Sequence, residues 1–282
     1  MNSIPQPPSG RVALITGANT GIGLVTARQL AAQGMRVFIA CRSAERAQPA
    51  LDTIRAGNKN AQVEFLPLDL GNFDSVRQCA QLFLARGLPL HLLINNAGLA
   101  GSRGFTDSGF ELAFGVNHMG HFLLTQLLLD RIKESAPARI VTVASKAHYS
   151  AEGIDWDAVR QPTRTRVALA EYGVSKLANV LFSAELSRRL AGSGVTTYSL
   201  HPGVVASDVW RAVPWPLRSL IKLAMISTEQ GAATSLYCAT AAEAALETGL
   251  YYDQCRVKTP GKAARDLALA AELWQRSEEW VL

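Results

Sequence analysis

Cysteine is scarce in this chain: four residues, at positions 41, 79, 238 and 255, serve 282, and no two form a CxxC pair. That spacing excludes a disulfide framework and a cysteine-based zinc site, and it suits a reducing compartment. Long apolar runs are missing too. The stretches 122–124 and 127–129 are interrupted by Thr125 and Gln126, far short of the roughly 18 residues a membrane-spanning helix needs. No integral membrane anchor is therefore expected. Residues 1–10 are polar and proline-bearing, without the basic start and apolar run of a secretory signal, so they read as a flexible lead-in and the expected location is cytoplasmic. The chain has no internal repeat, no block of like charge and no linker rich in proline, glycine and serine. Its net charge of +5 is scattered, which excludes a nucleic-acid face and leaves small anionic ligands as partners.

What is present is enough apolar residue, 48% of the chain, to bury one sizeable core. Apolar segments of strand length alternate with segments of helical period: 12–15, then 22–33; 37–40, then 44–55; 63–68, then 73–86. The alternation continues through 92–94, 110–135, 140–143, 172–190 and 196–200. This is the signature of βαβ units on a parallel sheet. Strands so continuously apolar need cover on both faces. The expected fold is thus an α/β three-layer, doubly wound Rossmann fold with about seven parallel strands, in one domain over 11–282. Two connections are long, 147–171 and 207–226, and long loops in a compact domain carry function.

Directly after the first strand comes Thr16-Gly17-Ala18-Asn19-Thr20-Gly21-Ile22-Gly23, followed by a helical segment. Glycine at 17 permits a tight turn, glycine at 21 lets backbone approach a pyrophosphate, and glycine at 23 lets helix and sheet pack closely. The lack of Gly-Lys-Ser/Thr rules out a Walker loop. The second strand ends in Ala40-Cys41-Arg42-Ser43. An acidic residue there accepts from the ribose hydroxyls of NAD, whereas a guanidinium suits a 2′-phosphate. Arg42 therefore points to NADP(H) as cofactor.

Tyr172 and Lys176 stand four apart on a helical segment and share one face. A phenol with a pKa of about 10 is a poor acid or base near neutrality, and a neighbouring ammonium stabilises its ionised form. Ser145 follows the strand around 139–143, at the sheet edge where open α/β folds bind ligands and where a hydroxyl reaches a substrate carbonyl.

Together these residues resemble the ordered motifs of the short-chain dehydrogenase/reductase family. The resemblance rests on the 16–23 turn, Asp69-Leu70, Asn95-Asn96-Ala97-Gly98, Asn117, Ser145, Tyr172 with Lys176, and His201-Pro202-Gly203, and it spans about 11–255. Within the family, Ala40-Cys41-Arg42, the run from Asn117 to His121, Ser145-Lys-Ala-His148 and Leu200-His-Pro-Gly resemble a retinol dehydrogenase-like branch that prefers NADP(H). The resemblance implies Tyr172 as general acid or base, Lys176 lowering its pKa and holding the nicotinamide ribose, Ser145 polarising the carbonyl, and Asn117 anchoring a relay water. It further implies cofactor contacts from Gly17, Asn19, Thr20, Gly21, Ile22, Gly23, Asp69, Leu70, Asn96, Ala97, Gly98, Pro202, Gly203, Val205 and Ser207. In similar proteins the helices after Tyr172 and Thr228 form homodimer or larger homo-oligomer faces.

The remaining features carry plainer expectations. His118 and His121 lack a third ligand and read as core, so no metal is expected. Gly173-Val-Ser175-Lys has leucine at 177 and no strand directly before it, unlike a hydrolase elbow. Residues 207–226, with Trp210 and Trp215, read as a substrate lid, and 261–279 as a C-terminal amphipathic helix. The activity expected is hydride transfer between NADP(H) and a carbonyl or alcohol of a lipophilic aldehyde, ketone or retinoid-like small molecule. The alternative is a non-catalytic NADP(H)-binding sensor or scaffold.

Overall fold

Each early strand feeds both faces of one sheet. In β1 (Val12–Thr16) the side chains of Val12 and Leu14 enter one apolar core, and those of Ala13 and Ile15 the other. β2 (Arg36–Cys41) repeats this, with Phe38 and Ala40 opposite Val37, Ile39 and Cys41. The two-residue period of a strand sends neighbours to opposite faces, and both faces are roofed by helices. A computed structural model describes residues 10–204 and 226–282.

The sheet continues with β3 (Val63–Pro67), β4 (Leu92–Asn95), β5 (Ala138–Val143), β6 (Val195–His201), β7 (Leu250–Asp253) and β8 (Arg256–Val257), in the order β3-β2-β1-β4-β5-β6-β7-β8. Seven strands are parallel, and β8 pairs antiparallel with β7. The order reverses between β1 and β4, which opens a crevice at their carboxyl ends. α1 (Gly21–Ala32), α2 (Ala44–Gly57) and α7 (Thr228–Thr240) supply one core, through residues such as Leu30, Ile54 and Cys238. α3 (Phe73–Leu84), α5 (Gly120–Glu134) and α6 (Leu169–Arg189) supply the other, through Phe83, Phe122 and Phe182.

The structure departs from the sequence expectation at three places. The sheet has eight strands, because Gln254 and Cys255, both with positive φ (52° and 58°), turn the chain back on itself after β7. The long helix expected over 110–135 starts as a short α4 (Leu112–Phe114), passes through a π-helical turn over Gly115–Met119, and only then becomes α5. The C-terminal helix, α8, runs over Leu267–Val281, later than 261–279, because the Asp266 carboxylate accepts from the amides of Ala268 and Leu269 and sets its start. α8 packs on α6, where the Trp274 indole stacks on Phe182 with centroids 5.9 Å apart. The expected lid over 207–226 lies outside the described residues except for Ile226, as do Val205, Ser207 and all of the 1–10 lead-in but Gly10. Among the described residues no helix is long and apolar enough to cross a membrane, and no group of three metal-ligating side chains occurs.

Candidate active site

β1 delivers the glycine turn to the crevice, and the turn is built for close approach. Gly17 has φ +67°, and a Cβ there would stand 2.8 Å from the Ala97 Cα. A Cβ on Gly23 would meet Asn96 Nδ2 at 2.6 Å and the Gly17 carbonyl oxygen at 2.7 Å. Only glycine fits either place. Thr16 locks the turn to the loop after β4: its hydroxyl accepts from the amides of Asn96 (3.0 Å) and Ala97 (2.9 Å), while Asn96 Nδ2 donates to the Thr16 carbonyl at 2.7 Å. The first turn of α1 has no acidic residue, and Thr20 at its N-cap makes no side-chain capping bond. Amides at this helix start are therefore left for an anion, and the helix dipole favours one. A dinucleotide pyrophosphate fits these donors.

A single cleft of about 1100 Å³ runs from this turn across the sheet edge. Gly17, Asn19, Thr20, Gly21, Ile22, Gly23, Arg42, Asp69, Leu70, Asn96, Ala97, Gly98, Ser145, Tyr172, Lys176, Pro202 and Gly203 all line it. Arg42 is exposed at the end of β2, and Arg46 stands four residues on, in the first turns of α2, beside Glu45. The end of the cleft offered to a phosphate-bearing adenosine thus carries two guanidiniums, Arg42 and Arg46, with the carboxylates of Glu45 and Asp69. Beside Tyr172 and Gly203 the exposed Leu169 and Val204 give the cleft an apolar rim.

β5 and α6 bring the reactive groups together. Ser145 caps a 3-10 turn over Lys146–Ser150, its hydroxyl accepting from the Ala147 amide at 3.2 Å. Tyr172 is buried, at 7% exposure, one helical turn before Lys176, at 3%. Burial raises the phenol above its ordinary value, and a hydrogen bond with the Ser145 hydroxyl opposes that rise. Burial also pulls the Lys176 ammonium down to about 7, and its Nζ donates to the Val143 carbonyl at 2.8 Å, 5.7 Å from the centre of the Tyr172 ring.

Asn117 sits in the π turn, fully buried and behind the cleft wall. Its Oδ1 accepts from the Leu99 amide (2.9 Å), and its Nδ2 donates to the Leu99 carbonyl (3.0 Å) and to the Ser175 hydroxyl (2.9 Å). The side chain ties the loop after β4 to α6 and so braces the cleft wall.

Four contributors escaped the sequence reading. Arg46 was legible as the i+4 neighbour of Arg42 on a helix start. Asn179 donates to the Val143 carbonyl at 3.1 Å, sharing that acceptor with Lys176. His121 is core, as expected, yet its Nε2 lies 2.8 Å from the Thr16 hydroxyl and its Nδ1 3.0 Å from the Asn117 carbonyl oxygen, so it joins turn and π segment. His148 lies 2.6 Å from the Ser145 carbonyl oxygen. No spacing rule in the sequence predicts the pairs His121–Thr16 and Lys176–Val143, since each bridges distant strands and helices.

The comparisons with known proteins agree with this geometry. The family model described as short chain dehydrogenase matches residues 11–156. Mouse retinol dehydrogenase 12 is 48% identical over 276 residues, covering 96% of this chain and 86% of that protein. Human retinol dehydrogenase 11 is 44% identical, covering 95% and 85%. Among solved structures, an uncharacterized protein from Mycobacterium paratuberculosis superposes with a TM-score of 0.77 at 33% identity, over 97% of this chain and 94% of that one. The Pseudomonas aeruginosa RhlG/NADP active-site complex does so with 0.70 at 28%, over 88% and 96%. The chain belongs to the short-chain dehydrogenase family, in its retinol dehydrogenase-like branch.

Proposed function

We propose that this protein is an NADP(H)-dependent oxidoreductase interconverting a carbonyl and an alcohol on a lipophilic small molecule, with Tyr172 exchanging the proton at the substrate oxygen. The observation that carries the reading is the buried Tyr172 hydroxyl bonded to the Ser145 hydroxyl in the same cleft as the glycine turn. When bound, the nicotinamide supplies or accepts the hydride. The amides at the start of α1 hold the pyrophosphate, and Arg42 with Arg46 holds a 2′-phosphate through paired, charge-assisted hydrogen bonds. Lys176 holds ribose hydroxyls, and Ser145 donates to the substrate carbonyl while easing ionisation of the phenol. Asn117 acts through Leu99 and Ser175, keeping the cleft wall and the catalytic helix in register.

The apolar rim formed by Leu169 and Val204 supports a lipophilic substrate, as do relatives that carry the name retinol dehydrogenase. The bound NADP of the Pseudomonas aeruginosa complex supports the cofactor. The test is oxidation of NADPH and of NADH against aldehydes and ketones graded in chain length and ring number, retinal included, repeated with Tyr172→Phe. Turnover is expected to favour NADPH and long apolar aldehydes, and to fall by about 10²–10⁴ in the variant. Wild-type turnover by Tyr172→Phe would end the proton-exchange reading.

A further inference from the structure

The peptide unit that joins Ser145 to Lys146 is gripped from both sides by histidine rings. On its carbonyl, His148 Nδ1 lies 2.6 Å from the Ser145 oxygen. On its amide, the Lys146 N–H donates to His201 Nδ1 at 3.3 Å. We infer that His148 and His201 are positioning residues, which together clamp this peptide and so fix the frame from which the Ser145 hydroxyl meets Tyr172. The inference rests on the role proposed for Ser145 above.

The hydrogen bonds dictate one tautomer for each ring. His148 Nε2 accepts the Gly261 amide at 3.0 Å, so its proton must sit on Nδ1, where the Ser145 carbonyl accepts it. His201 accepts at Nδ1, so its proton sits on Nε2. Both rings are nearly sealed, at 1% and 5% exposure. Burial pulls His148 below its ordinary value and His201 down to about 4, so neutral rings with these acceptors free are what the site holds near neutrality. The rings are themselves braced. Tyr149 and Tyr251 pack on His148 with centroids 4.0 Å and 4.8 Å away, and His201 stands opposite Asp253 in the β6–β7 register.

The clamp also transmits to Tyr172. A Cβ on Gly173 would meet Ser150 Oγ at 2.9 Å and the Ala147 carbonyl oxygen at 3.1 Å, so the turn after Ser145 rests directly on the helix that carries the phenol. Turning the gripped peptide would tilt the Ser145 Cα and shift the hydroxyl, and small misplacements of a catalytic group are costly in rate.

Two measurements test the clamp. Long-range 1H–15N NMR of the wild-type imidazoles, assigned with His148→Asn and His201→Asn, is expected to find His148 protonated at Nδ1 and His201 at Nε2. The opposite tautomer in either ring overturns the proposal without reference to activity. In kinetics, His148→Phe removes the donor and is expected to lower kcat roughly tenfold, with KM for NADPH held within about twofold. His148→Asn keeps a donor near Nδ1 and is expected to recover most of that loss; His201→Leu and His201→Asn should divide in the same way. In a Ser145→Ala background, His148→Phe is expected to cost nothing more. Equal losses in the Asn and Phe variants, or a loss undiminished without the serine, refute the clamp. Full turnover by Ser145→Ala would instead remove the role proposed for the serine, with the tautomers still reporting the grip.

Discussion

Lys176 Nζ donates to the backbone carbonyl of Val143 across 2.8 Å, at the end of the strand that delivers Ser145. The same oxygen accepts from Asn179 Nδ2 at 3.1 Å, so it keeps a partner when the lysine is removed. Burial holds the Lys176 ammonium at about 7 against its ordinary 10.5. Between those values the unfolded chain binds the extra proton, so stability from this group rises with pH over that window. Lys176→Met should therefore be more heat-stable than wild type below about pH 7, by about 5 °C, with the gap closing as pH approaches 10.5. Melting curves across that range check it; a gap that stays constant with pH defeats the argument. The same variant should bind NADPH more weakly.

Ser145→Ala removes the hydrogen bond that opposes the burial-driven rise of the Tyr172 phenol. The phenol then rises further, so more alkaline solution is needed to ionise it. In the alcohol-oxidising direction the acid limb of the kcat/KM profile should move to higher pH, and kcat should fall by about 10²–10³ as a carbonyl donor is lost. A pH–rate profile unmoved by the substitution would contradict this.

Arg42→Ala and Arg46→Ala separate the two cofactors. A charge-assisted bond to a phosphate contributes about 1.5–3 kcal/mol, so each variant should raise Kd for NADPH roughly tenfold or more while leaving NADH binding nearly unchanged. Fluorescence titration with both nucleotides reads the result. Equal weakening of the two would place the guanidiniums elsewhere than at the 2′-phosphate.

Trp274→Ala probes the cover over the catalytic helix. The indole is 4% exposed, stacks on Phe182, meets Phe122 edge-on at 5.2 Å and lies under the Arg189 guanidinium at 4.4 Å. Truncating a buried aromatic costs about 3–5 kcal/mol through lost transfer energy and the cavity left behind. Urea unfolding should register a loss of that order, and a change under about 1 kcal/mol would mean that α8 contributes little to the fold.

The parts of the fold written in local pattern were legible in the sequence. β1 and β2 are buried on both faces, so their unbroken apolar runs announced a covered parallel sheet, and the 16–23 turn announced the nucleotide edge. The π turn stayed hidden because an inserted residue leaves the apolar character of 110–129 intact while shifting its phase. The hairpin at 254–255 stayed hidden because Gln254 and Cys255 are not the glycine and asparagine that usually mark positive φ. In the site, the spacing of Tyr172 and Lys176 and the place of Ser145 after a strand singled out three side chains that line one cleft. The effect of burial on the phenol and the lysine, and the carbonyls held by Lys176 and His148, arise from residues far apart in sequence and so had no local trace.

The π turn over Gly115–Met119 sets the angular phase of everything that follows it. An i→i+5 turn takes up one residue more than the α-helical repeat, which offsets later side chains by about 100°. With that offset Asn117 reaches Leu99 and Ser175 on one side, while His121 reaches back to Thr16 beneath the glycine turn. One surplus residue thus acts as the timing between the nucleotide half of the cleft and its catalytic half.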